Sequence, residues 1–502
     1  MKGSVTRRHV LAFAGALTGL GVLAACDDGS PDATSPRDQG PVDVRVSVLD
    51  HGAKGDGLSD DTAAFQRAID SAGDAVTEGA SIAWLEVPAG EYLITPSSNE
   101  TPTLALRPGV SLIGEGRERS VLRCRDHSGD WGTLLGPAND STDLGDLTIR
   151  RLGFDLNTRS NPVSRPLDGA TSPRMCIRAA GGRWGSIHVD DCSFHDSSSV
   201  NTLYLAGHRV MVTHCTFTDT GLSEQIGWDH SSIYATARAG GYIEIVKNSF
   251  DAHARNGGSR TAIETHGGRQ VVSENLIRNF FKAMNITGVE TETTGPVSVL
   301  NNHVVGCAMG IHFWCHPLPG QALQRLTGVT VRGNEIHVNP DAWSSTPGIH
   351  KSSIYGACVI FDSIDGSKIE QVVLIANTLT VSNAGAAVTD KPKTGAVVLA
   401  YDESSLAGIT VEDNVLVSTD VVIFALNGPI HRATLRRNHI AISEEYPEFS
   451  IVRLGSNYSH FAVNDNTVEG PQVSLENLDF VFHSEGLNPD LIRVGNNQHV
   501  VG

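Results

Sequence analysis

The sequence predicts an all-β fold, a parallel β-helix solenoid with an N-terminal capping helix. A six-residue pattern, apolar-x-apolar-x-x-Asn, recurs along the chain at intervals of 23 to 43 residues. Alternating apolar and polar residues indicate strands, and recurrence at this period indicates stacked coils. A segment with helical spacing precedes the repeats, where a solenoid needs a cap. A chain of 502 residues can therefore be mostly one repeat domain.

The last position of the pattern is the predicted turn of each coil. It is occupied along the chain by Cys192, Cys215, Asn248, Asn275, Asn302, Asn334, Asn377, Asn414, Asn438, Asn466 and Asn497. Asn tolerates tight turns and can bond its own backbone, so stacked copies are expected to form a ladder inside the turn. Cys192 and Cys215 favour a buried pair of free thiols, with a disulfide as the alternative.

The capping helix is predicted from the segment "GLSDDTAAFQRAIDSAG". Ser59, Asp60 and Asp61 are its N-cap candidates. Its apolar residues share one face: Phe65, Ala68 and Ile69. The helix is expected to close the open end of the solenoid.

Residues 1–26 have the features of a secretory signal peptide. "TRRHVLAFAG" joins a basic start to a short apolar run, and "LAAC" places small residues before Cys26. The run is too short to span a membrane. The twin Arg resembles a Tat signal, and "LAAC" resembles a lipobox, whose Cys is lipidated after cleavage. The alternative is a plain signal peptide, with Cys26 removed or free.

Residues 27–42 are predicted to be a flexible linker, because they are rich in Asp, Ser, Pro and Gly and hold little to bury. Residues 43–502 then form the β-helix domain. The protein is expected outside the cytoplasm, either secreted or lipid-anchored to the cell membrane. A lipid on Cys26 would be its one contact with the membrane.

The net charge of −18 argues against nucleic acid as a partner, because phosphate contacts need a basic surface. The charge is locally reversed between Phe250 and Lys282, where five Arg and Lys face three Asp and Glu, a sum of +2. Arg suits carboxylate or sulfate groups, so an acidic polysaccharide is a candidate partner, with solvated turn residues as the alternative. The eight Cys include no CxxC pair and predict neither a zinc site nor a disulfide framework.

A second strand precedes the turn in each coil. Its inward positions are predicted to be Leu203, Ile233, Ile263, Met284, Ile311, Val359 and Val398. Its neighbours then point outward, and the first outward row is Tyr204, Tyr234, Glu264, Asn285, His312, Ile360 and Leu399. The next outward row is Ala206, Thr236, His266, Thr287, Trp314, Asp362 and Tyr401. Polar and aromatic groups concentrate in the middle rungs, which predicts a sugar-binding groove on an exposed sheet; an ordinary solvated face is the alternative.

Long insertions follow Cys215, Asn302 and Asn334, where they can form the walls of a groove. They contain second-rank candidates for function: Asp229, His230, His316, Trp343 and His350.

The N-terminal segments "VSVLDHGAKGDGLSDDTAAFQRAI" and "VPAGEYLIT" resemble the start of the pectate-lyase-like superfamily, in the branch with tailspikes, rhamnogalacturonase-type enzymes and alginate epimerases. The resemblance covers roughly residues 45–116. It implies a right-handed β-helix that is extracellular and active on polysaccharide. The Gly-His-Gly motif expected of polygalacturonases and the Asp-Pro-His-Glu motif expected of alginate epimerases do not occur in the sequence.

The leading functional prediction is a lyase that cleaves an acidic (uronic) polysaccharide by β-elimination. That reaction needs a neutralised carboxylate, a base for the C5 proton and a proton for the leaving oxygen. Tyr234, His266 and His312 are predicted to move protons, with Arg260 or Lys282 as neutraliser. The other predicted substrate contacts are Trp314, Asp362, Tyr204, Asn285 and Tyr401.

Glu264 is expected either to orient a His or to ligate a cation, as acidic residues do in some lyases of the superfamily. No cofactor is required by the residues, and calcium is the alternative that the resemblance leaves open.

A glycoside hydrolase is the second prediction, and it needs two carboxyl groups within about 5–9.5 Å. Glu264 and Asp362 lie three rungs apart, about 14 Å at the strand spacing. Asp229 could instead approach Glu264 from its loop, and Asp196 with Asp219 is a further pair whose plainer role is turn capping. A non-catalytic lipoprotein that binds glycan is the third prediction.

Overall fold

The computed structural model describes most of the predicted β-helix domain. The described ranges are 43–96, 101–129, 131–139, 142–161, 175–180, 185–197, 201–221, 231–253, 260–288, 293–317, 323–343, 356–382, 396–401, 404–419, 422–443, 450–455, 457–471, 479–483, 488 and 490–501. The predicted signal peptide, the linker and Cys26 lie outside them. Within these ranges no helix is long and apolar enough to cross a membrane.

The described residues form one α-helix, two short 3-10 helices (Val48–His51 and Pro340–Trp343) and 42 strands. The first elements are β1 (Asp43–Ser47), β2 (Asp56–Asp60), α1 (Thr62–Thr77), β3 (Ile82–Val87), β4 (Gly90–Ile94), β5 (Leu104–Leu106), β6 (Val110–Gly114), β7 (Ser120–Cys124), β8 (Thr133–Pro137), β9 (Leu147–Arg150), β10 (Gly153–Asp155), β11 (Met175–Ala180), β12 (Ser186–Asp190), β13 (Ser193–His195), β14 (Asn201–Thr213), β15 (Thr216–Thr218), β16 (Ser231–Val246) and β17 (Ser249–Asp251). The middle elements are β18 (Thr261–His266), β19 (Arg269–Ser273), β20 (Leu276–Arg278), β21 (Lys282–Thr287), β22 (Thr293–Thr294), β23 (Val297–Leu300), β24 (His303–Cys307), β25 (Met309–Cys315), β26 (Arg325–Arg332), β27 (Glu335–Val338), β28 (Val359–Ser363), β29 (Lys368–Ile375) and β30 (Thr378–Val381). The last elements are β31 (Ala396–Ala400), β32 (Ser405–Glu412), β33 (Val415–Ser418), β34 (Val422–Leu426), β35 (Ile430–Arg436), β36 (His439–Ile442), β37 (Ser450–Leu454), β38 (Tyr458–Asn464), β39 (Thr467–Gly470), β40 (Asp479–His483), β41 (Ile492–Gly495) and β42 (Gln498–Val501).

All of the strand pairs are parallel and join equivalent strands of successive coils, which confirms the predicted parallel β-helix. Three stacks result. The upstream stack runs from β5 through β14, β18, β25 and β31 to β40. The middle stack runs from β1 through β12, β19, β26 and β32 to β41, and the downstream stack is a separate 15-stranded sheet from β2 to β42. β14 and β16 are long enough to belong to both the upstream and the middle stack.

The Asn ladder lies at the turn between the middle and downstream stacks, as predicted. Nine Asn, from Asn248 to Asn497, occupy the ladder, and each of the first eight donates from Nδ2 to Oδ1 of the next at 2.9–3.0 Å. The same oxygen accepts the backbone N–H of the previous Asn, as in the 2.9 Å bond from Asn302 N to Asn334 Oδ1. Each rung therefore satisfies the polar groups of the rung before it.

The tight bend of this turn is not made by the Asn itself, which corrects the sequence analysis. The residue before each ladder position has the positive φ, for example Lys247 at 58° and Asp413 at 55°. The side chain of the Asn is buried and bonds the turn from inside. Cys192 and Cys215 hold the first two positions as buried free thiols, so the free pair is confirmed and the disulfide is wrong.

Helix α1 packs against β1, β3, β5 and β6, with its apolar face in the same core as the first coils. Asp61 is the N-cap residue, but its side chain makes no capping hydrogen bond; the carboxylate of the preceding Asp60 instead accepts the backbone N–H of Thr62 at 3.0 Å. Asp61 has another role, since its two oxygens accept the backbone N–H groups of Lys54 (2.6 Å) and Gly55 (3.1 Å). Asp61 thereby ties the loop before the helix to its start.

Candidate functional site

The two predicted outward rows exist in the strand register. Tyr204, Tyr234, Glu264, Asn285, His312, Ile360 and Leu399 are successive partners across β14, β16, β18, β21, β25, β28 and β31. Thr236, His266, Thr287, Trp314 and Asp362 are partners two residues further on. The predicted inward residues lie in the core. The alternation of the strands thus brings the candidates to one face.

This face is not the exposed sheet that the sequence analysis expected. Glu264 and His266 are each 5% exposed, and both faces of β18 and β21 are buried. Further along the face, Ile360 and Leu399 belong to a second apolar cluster outside the main core. The outward side chains therefore lie in a partly dehydrated environment, where unpaired charges are costly.

Glu264 lies at the centre of a hydrogen-bond network. Its Oε2 accepts a short hydrogen bond from the hydroxyl of Ser231. Its Oε1 accepts from His266 Nε2 at 3.1 Å and from Asn285 Nδ2 at 3.3 Å. Burial opposes ionisation of this carboxyl, but the bonds from His266 and Ser231 and the charge of Lys282 outweigh it and hold its pKa below the ordinary value. Glu264 is thus an anchored carboxylate.

The bonds of His266 fix its tautomer. An ionised carboxylate only accepts, so the ring hydrogen facing Glu264 is on Nε2. The other nitrogen, Nδ1, lies 2.8 Å from the hydroxyl of Thr287, which can donate to it. Both ring nitrogens therefore have partners, and His266 is placed to hold Glu264 rather than to take a proton from a substrate.

A second acid–imidazole group is centred on Asp362. Its Oδ2 is 3.3 Å from His312 Nε2, and its Oδ1 is 2.7 Å from His316 Nε2. The ring of His316 also stacks on Trp314, with centroids 4.5 Å apart. Burial raises the pKa of Asp362, but the hydrogen bonds from both imidazoles lower it more, so the net pKa is well below the ordinary value.

The contact with Asp362 fixes the tautomer of His312 as well. The hydrogen is on Nε2, which places the lone pair of the neutral ring on Nδ1, away from the carboxylate. A carboxylate behind an imidazole in this way increases its basicity. Asp362 is thus placed to orient His312, a role the sequence analysis did not assign to it.

The aromatic rings of the first row stack on each other. Tyr204 and Tyr234 lie 5.1 Å apart between centroids, and Tyr234 and His266 lie 4.3 Å apart. The faces that these rings turn toward one another are covered by the stacking, so a sugar ring does not fit between them.

The predicted cations Arg260 and Lys282 are buried beside the row. Lys282 acts electrostatically on Glu264, and the guanidinium of Arg260 lies 6.0 Å from the ring centroid of Phe281. The Oδ1 atom of Asn285 is buried with no hydrogen-bond donor among the described residues. Positive charge and an open acceptor therefore lie between the two acid–imidazole groups.

Several candidates have structural roles. Trp343 is buried in the second apolar cluster, and its Nε1 donates to the backbone oxygen of Gly306 at 3.0 Å. Tyr401 packs against the same cluster. Asp196 and Asp219 share Arg159, whose Nη2 lies 3.1 Å from Asp219 Oδ2 and whose backbone N–H bonds Asp196. Both Asp residues have positive φ, as turn residues do.

Asp229, His230 and His350 lie outside the described residues. The sequence analysis missed Ser231, gave Thr287 a place in the outward row but no role, and ranked His316 only as a second-rank candidate. Hydroxyl residues in strands carry no sequence signal of their own. Only their partners, Glu264 and His266, could have drawn attention to them.

A calcium ion does not fit the donors around Glu264. Both of its oxygens already accept hydrogen bonds from Ser231, His266 and Asn285. In the described part of the chain, no group of three or more His, Cys, Asp or Glu is placed to hold a metal ion. We therefore derive no step through a cation at Glu264.

Comparison with known proteins supports the fold. Residues 45–152 match the family model described as rhamnogalacturonase A/epimerase, pectate lyase-like. The match covers the first coils and the capping helix, about a fifth of the chain. The match overlaps the residues that resembled this superfamily in the sequence.

The curated relatives match a short part of this chain. Mannuronan C5-epimerase AlgE4 of Azotobacter vinelandii is 41% identical over 124 residues, 24% of this chain and 21% of that protein. AlgE2 of the same organism is 36% identical over 111 residues, 20% of this chain and 10% of the relative. The preneck appendage protein of Bacillus phage PZA is 27% identical over 154 residues, 30% of this chain and 16% of that protein. The alignments thus span a fifth or less of the length of most of these relatives.

Among solved structures, a tailspike protein of E. coli bacteriophage HK620 in complex with a hexasaccharide covers 90% of this chain, with 78% of its own length matched. The TM-score is 0.62 and the sequence identity is 14%. This likeness concerns the β-helix fold alone.

Proposed function

We propose that the protein is an extracytoplasmic enzyme that cleaves an acidic, uronic polysaccharide by β-elimination. The observation that carries the proposal is the placement of His312: Asp362 holds its Nε2, so its basic Nδ1 faces away from the carboxylate. A base of this kind, with buried cations close by, suits removal of the C5 proton of a uronide.

The elimination step needs His312 as the base, two cations of this face and solvent water. Nδ1 of His312 takes the C5 proton, the C4=C5 double bond forms, and the C4–O4 bond breaks. Water donates the proton to the leaving oxygen, and the hydroxide that remains is neutralised when His312 releases its proton to solvent. Tyr234 lies three rungs from His312, about 14 Å at the strand spacing, and is too far away to protonate the same sugar. Arg260 and Lys282 lower the charge of the substrate carboxylate, which makes the C5 proton more acidic. Glu264 and His266 keep Lys282 and Asn285 in position.

A hydrolase built on Glu264 and Asp362 is less well supported. Hydrolysis needs one carboxyl group that is protonated near neutral pH, with a raised pKa. The pKa values of both groups are lowered by their hydrogen bonds. Neither carboxyl is therefore suited to donate a proton to a glycosidic oxygen.

A C5-epimerase is the second candidate, and the 41% identity to mannuronan C5-epimerase AlgE4 over 124 residues favours it. It shares the first step, removal of the C5 proton, but returns a proton from the opposite face and leaves the C4–O4 bond intact.

To test the proposal, the mature protein (residues 27–502) is incubated with acidic and neutral polysaccharides. Near-ultraviolet absorbance and the number of reducing ends are followed together. A lyase raises both signals. Reducing ends without absorbance indicate a hydrolase and contradict the proposal. Exchange of the C5 hydrogen with deuterated water, without new ends, indicates an epimerase. A glycan-binding protein without activity gives none of these signals but still binds the polymer.

A further inference from the structure

The middle stack bends at the same position in five successive coils. Residues with positive φ occupy the bend in β26, β29, β32, β35 and β38: Gly328, Gln371, Gly408, Arg432 and His460, at 66°, 56°, 73°, 61° and 53°. Strand pairing places them at one register. Three of them are not glycine, and such residues cost of order 1 kcal/mol or more each. The repeated bend forms a groove of about 540 Å³ along β29, β32, β35 and β38. We call it the bend groove.

Two side chains of the bend groove are available to bind a ligand. Arg432 and His460 are exposed, and neither makes a hydrogen bond or ion pair within the described residues. They lie on adjacent rungs, about 4.8 Å apart at the backbone. An Arg with no acidic partner is notable in a chain with a net charge of −18.

Three other guanidinium groups of the same coils, those of Arg325, Arg436 and Arg437, have acidic partners. Arg325 binds Glu370 through Nη2, and through Nε at 3.2 Å, so the carboxylate at the edge of the groove is neutralised. Arg437 lies 2.8 Å from Asp413, and Arg436 binds Glu412. The bend groove thus presents the positive charge of Arg432 without a matching acid.

The middle of the groove is open. A Cβ atom added to Gly408 would meet only backbone atoms of Gln371, at 3.9 Å. On the side towards β38, Ser459 accepts or donates a 3.1 Å hydrogen bond with His431 Nδ1, which adds a hydroxyl and an imidazole to the lining. Space, a guanidinium and neutral polar groups together suit an anionic sugar unit.

We infer that the bend groove is an accessory binding site for the carboxylate groups of an acidic polysaccharide, separate from the acid–imidazole face. The planar guanidinium of Arg432 can bind a carboxylate through two parallel N–H bonds, and His460 can bind the neighbouring unit. The site retains the polymer on the protein and takes no part in bond breakage. It takes from the proposed function only the class of polymer.

The experiment measures binding of polymannuronate to the full mature chain by affinity electrophoresis, with Arg432→Gln as the test variant. Gln already occupies the equivalent bend at position 371, so the backbone accepts it. Arg437→Gln is the matched control, because it removes the same charge from the same coil at a residue with acidic partners. We expect Arg432→Gln to weaken binding about 10-fold and the control to stay within about twofold.

Wild-type binding by Arg432→Gln, or an equal loss in Arg437→Gln, overturns the inference. Binding of dextran sulfate but not of polymannuronate overturns it too, because the proposed ligand is a carboxylate. Cleavage of short oligosaccharides should be unchanged in Arg432→Gln, with a raised KM for long polymers. Binding that depends on Arg432 in a protein without lyase activity would leave this inference standing and refute the proposed function alone.

Discussion

Two columns of buried polar side chains run along this β-helix, and they differ in kind. The Asn ladder repeats one residue, and each amide satisfies the next at 2.9–3.0 Å. The outward rows hold different residues along most of their rungs, and their bonds cross between rows, as from His266 to Glu264 and from His312 to Asp362. A uniform column can satisfy itself completely and so stabilises the fold. A column of different residues leaves some lone pairs and charges without a matching partner, and a catalytic site needs such groups to bind and move protons.

The largest effect is expected at His312. His312→Gln keeps a polar side chain in the row but removes the base, so cleavage should fall by about 10²–10⁴-fold while the fold is retained. The measurement is the rate of absorbance increase, together with circular dichroism. His303→Gln is the control, because His303 pairs with Glu335 at 3.0 Å on the downstream stack and should keep its activity. An equal loss of activity in His312→Gln and His303→Gln would contradict the assignment of His312 as the base.

Removal of a ladder residue should cost stability instead. Asn334→Ala deletes the bonds to Asn377 Oδ1 (3.0 Å) and Val299 O (2.8 Å) and leaves the donors of Asn302 buried without their acceptor. We expect the free energy of unfolding in urea to fall by about 3 kcal/mol, with little change in activity of the folded fraction. Thr330→Ala, half-buried on β26, should cost less than about 1 kcal/mol. Lost activity in a stable Asn334→Ala protein would contradict the separation of the two columns.

Asp362 should link the functional rows to acid stability. Its pKa in the folded protein is below the ordinary value of about 3.9, so its contribution is complete above that pH and is lost as pH falls towards the folded value. Between about pH 5 and 2.5, the unfolding free energy of the wild type should therefore decline more steeply than that of Asp362→Asn, by about 1 kcal/mol or more. Asp413→Asn, at an exposed ion pair, should alter the slope less. If the unfolding free energies of the wild type and Asp362→Asn change in parallel with pH, the pKa of Asp362 is not lowered in the folded protein and the prediction is wrong.

The smallest effect is expected where the ladder begins. Cys215 already accepts the ladder geometry, since its backbone N–H donates to Asn248 Oδ1 at 2.9 Å. Its thiol lies 3.7 Å from Val189 O, which would accept the Nδ2 of an Asn at this position. Cys215→Asn should therefore change the unfolding free energy by less than about 1 kcal/mol. A loss of several kcal/mol would show that the ladder cannot be extended by one more rung.

The two columns also differ in how far they could be predicted from the sequence. Asn334 and Asn414 could be placed because their pattern repeats in every coil, and repetition fixes register. Glu264 and His266 could be placed on one face because strand residues alternate. Their burial could not be predicted, because it depends on neighbours from adjacent coils, such as Ser231, Tyr234 and Asn285.

The sequence by itself determined the parallel β-helix, the ladder, the capping helix and the order of residues in the outward rows, since all of these follow from local periodicity. The tertiary structure alone decided which nitrogen of His312 faces Asp362, that His266 is engaged by Thr287, and that Arg432 has no acidic partner among the described residues. These facts depend on distances of about 3 Å between residues from different coils, and a pattern along one strand carries no information about such distances.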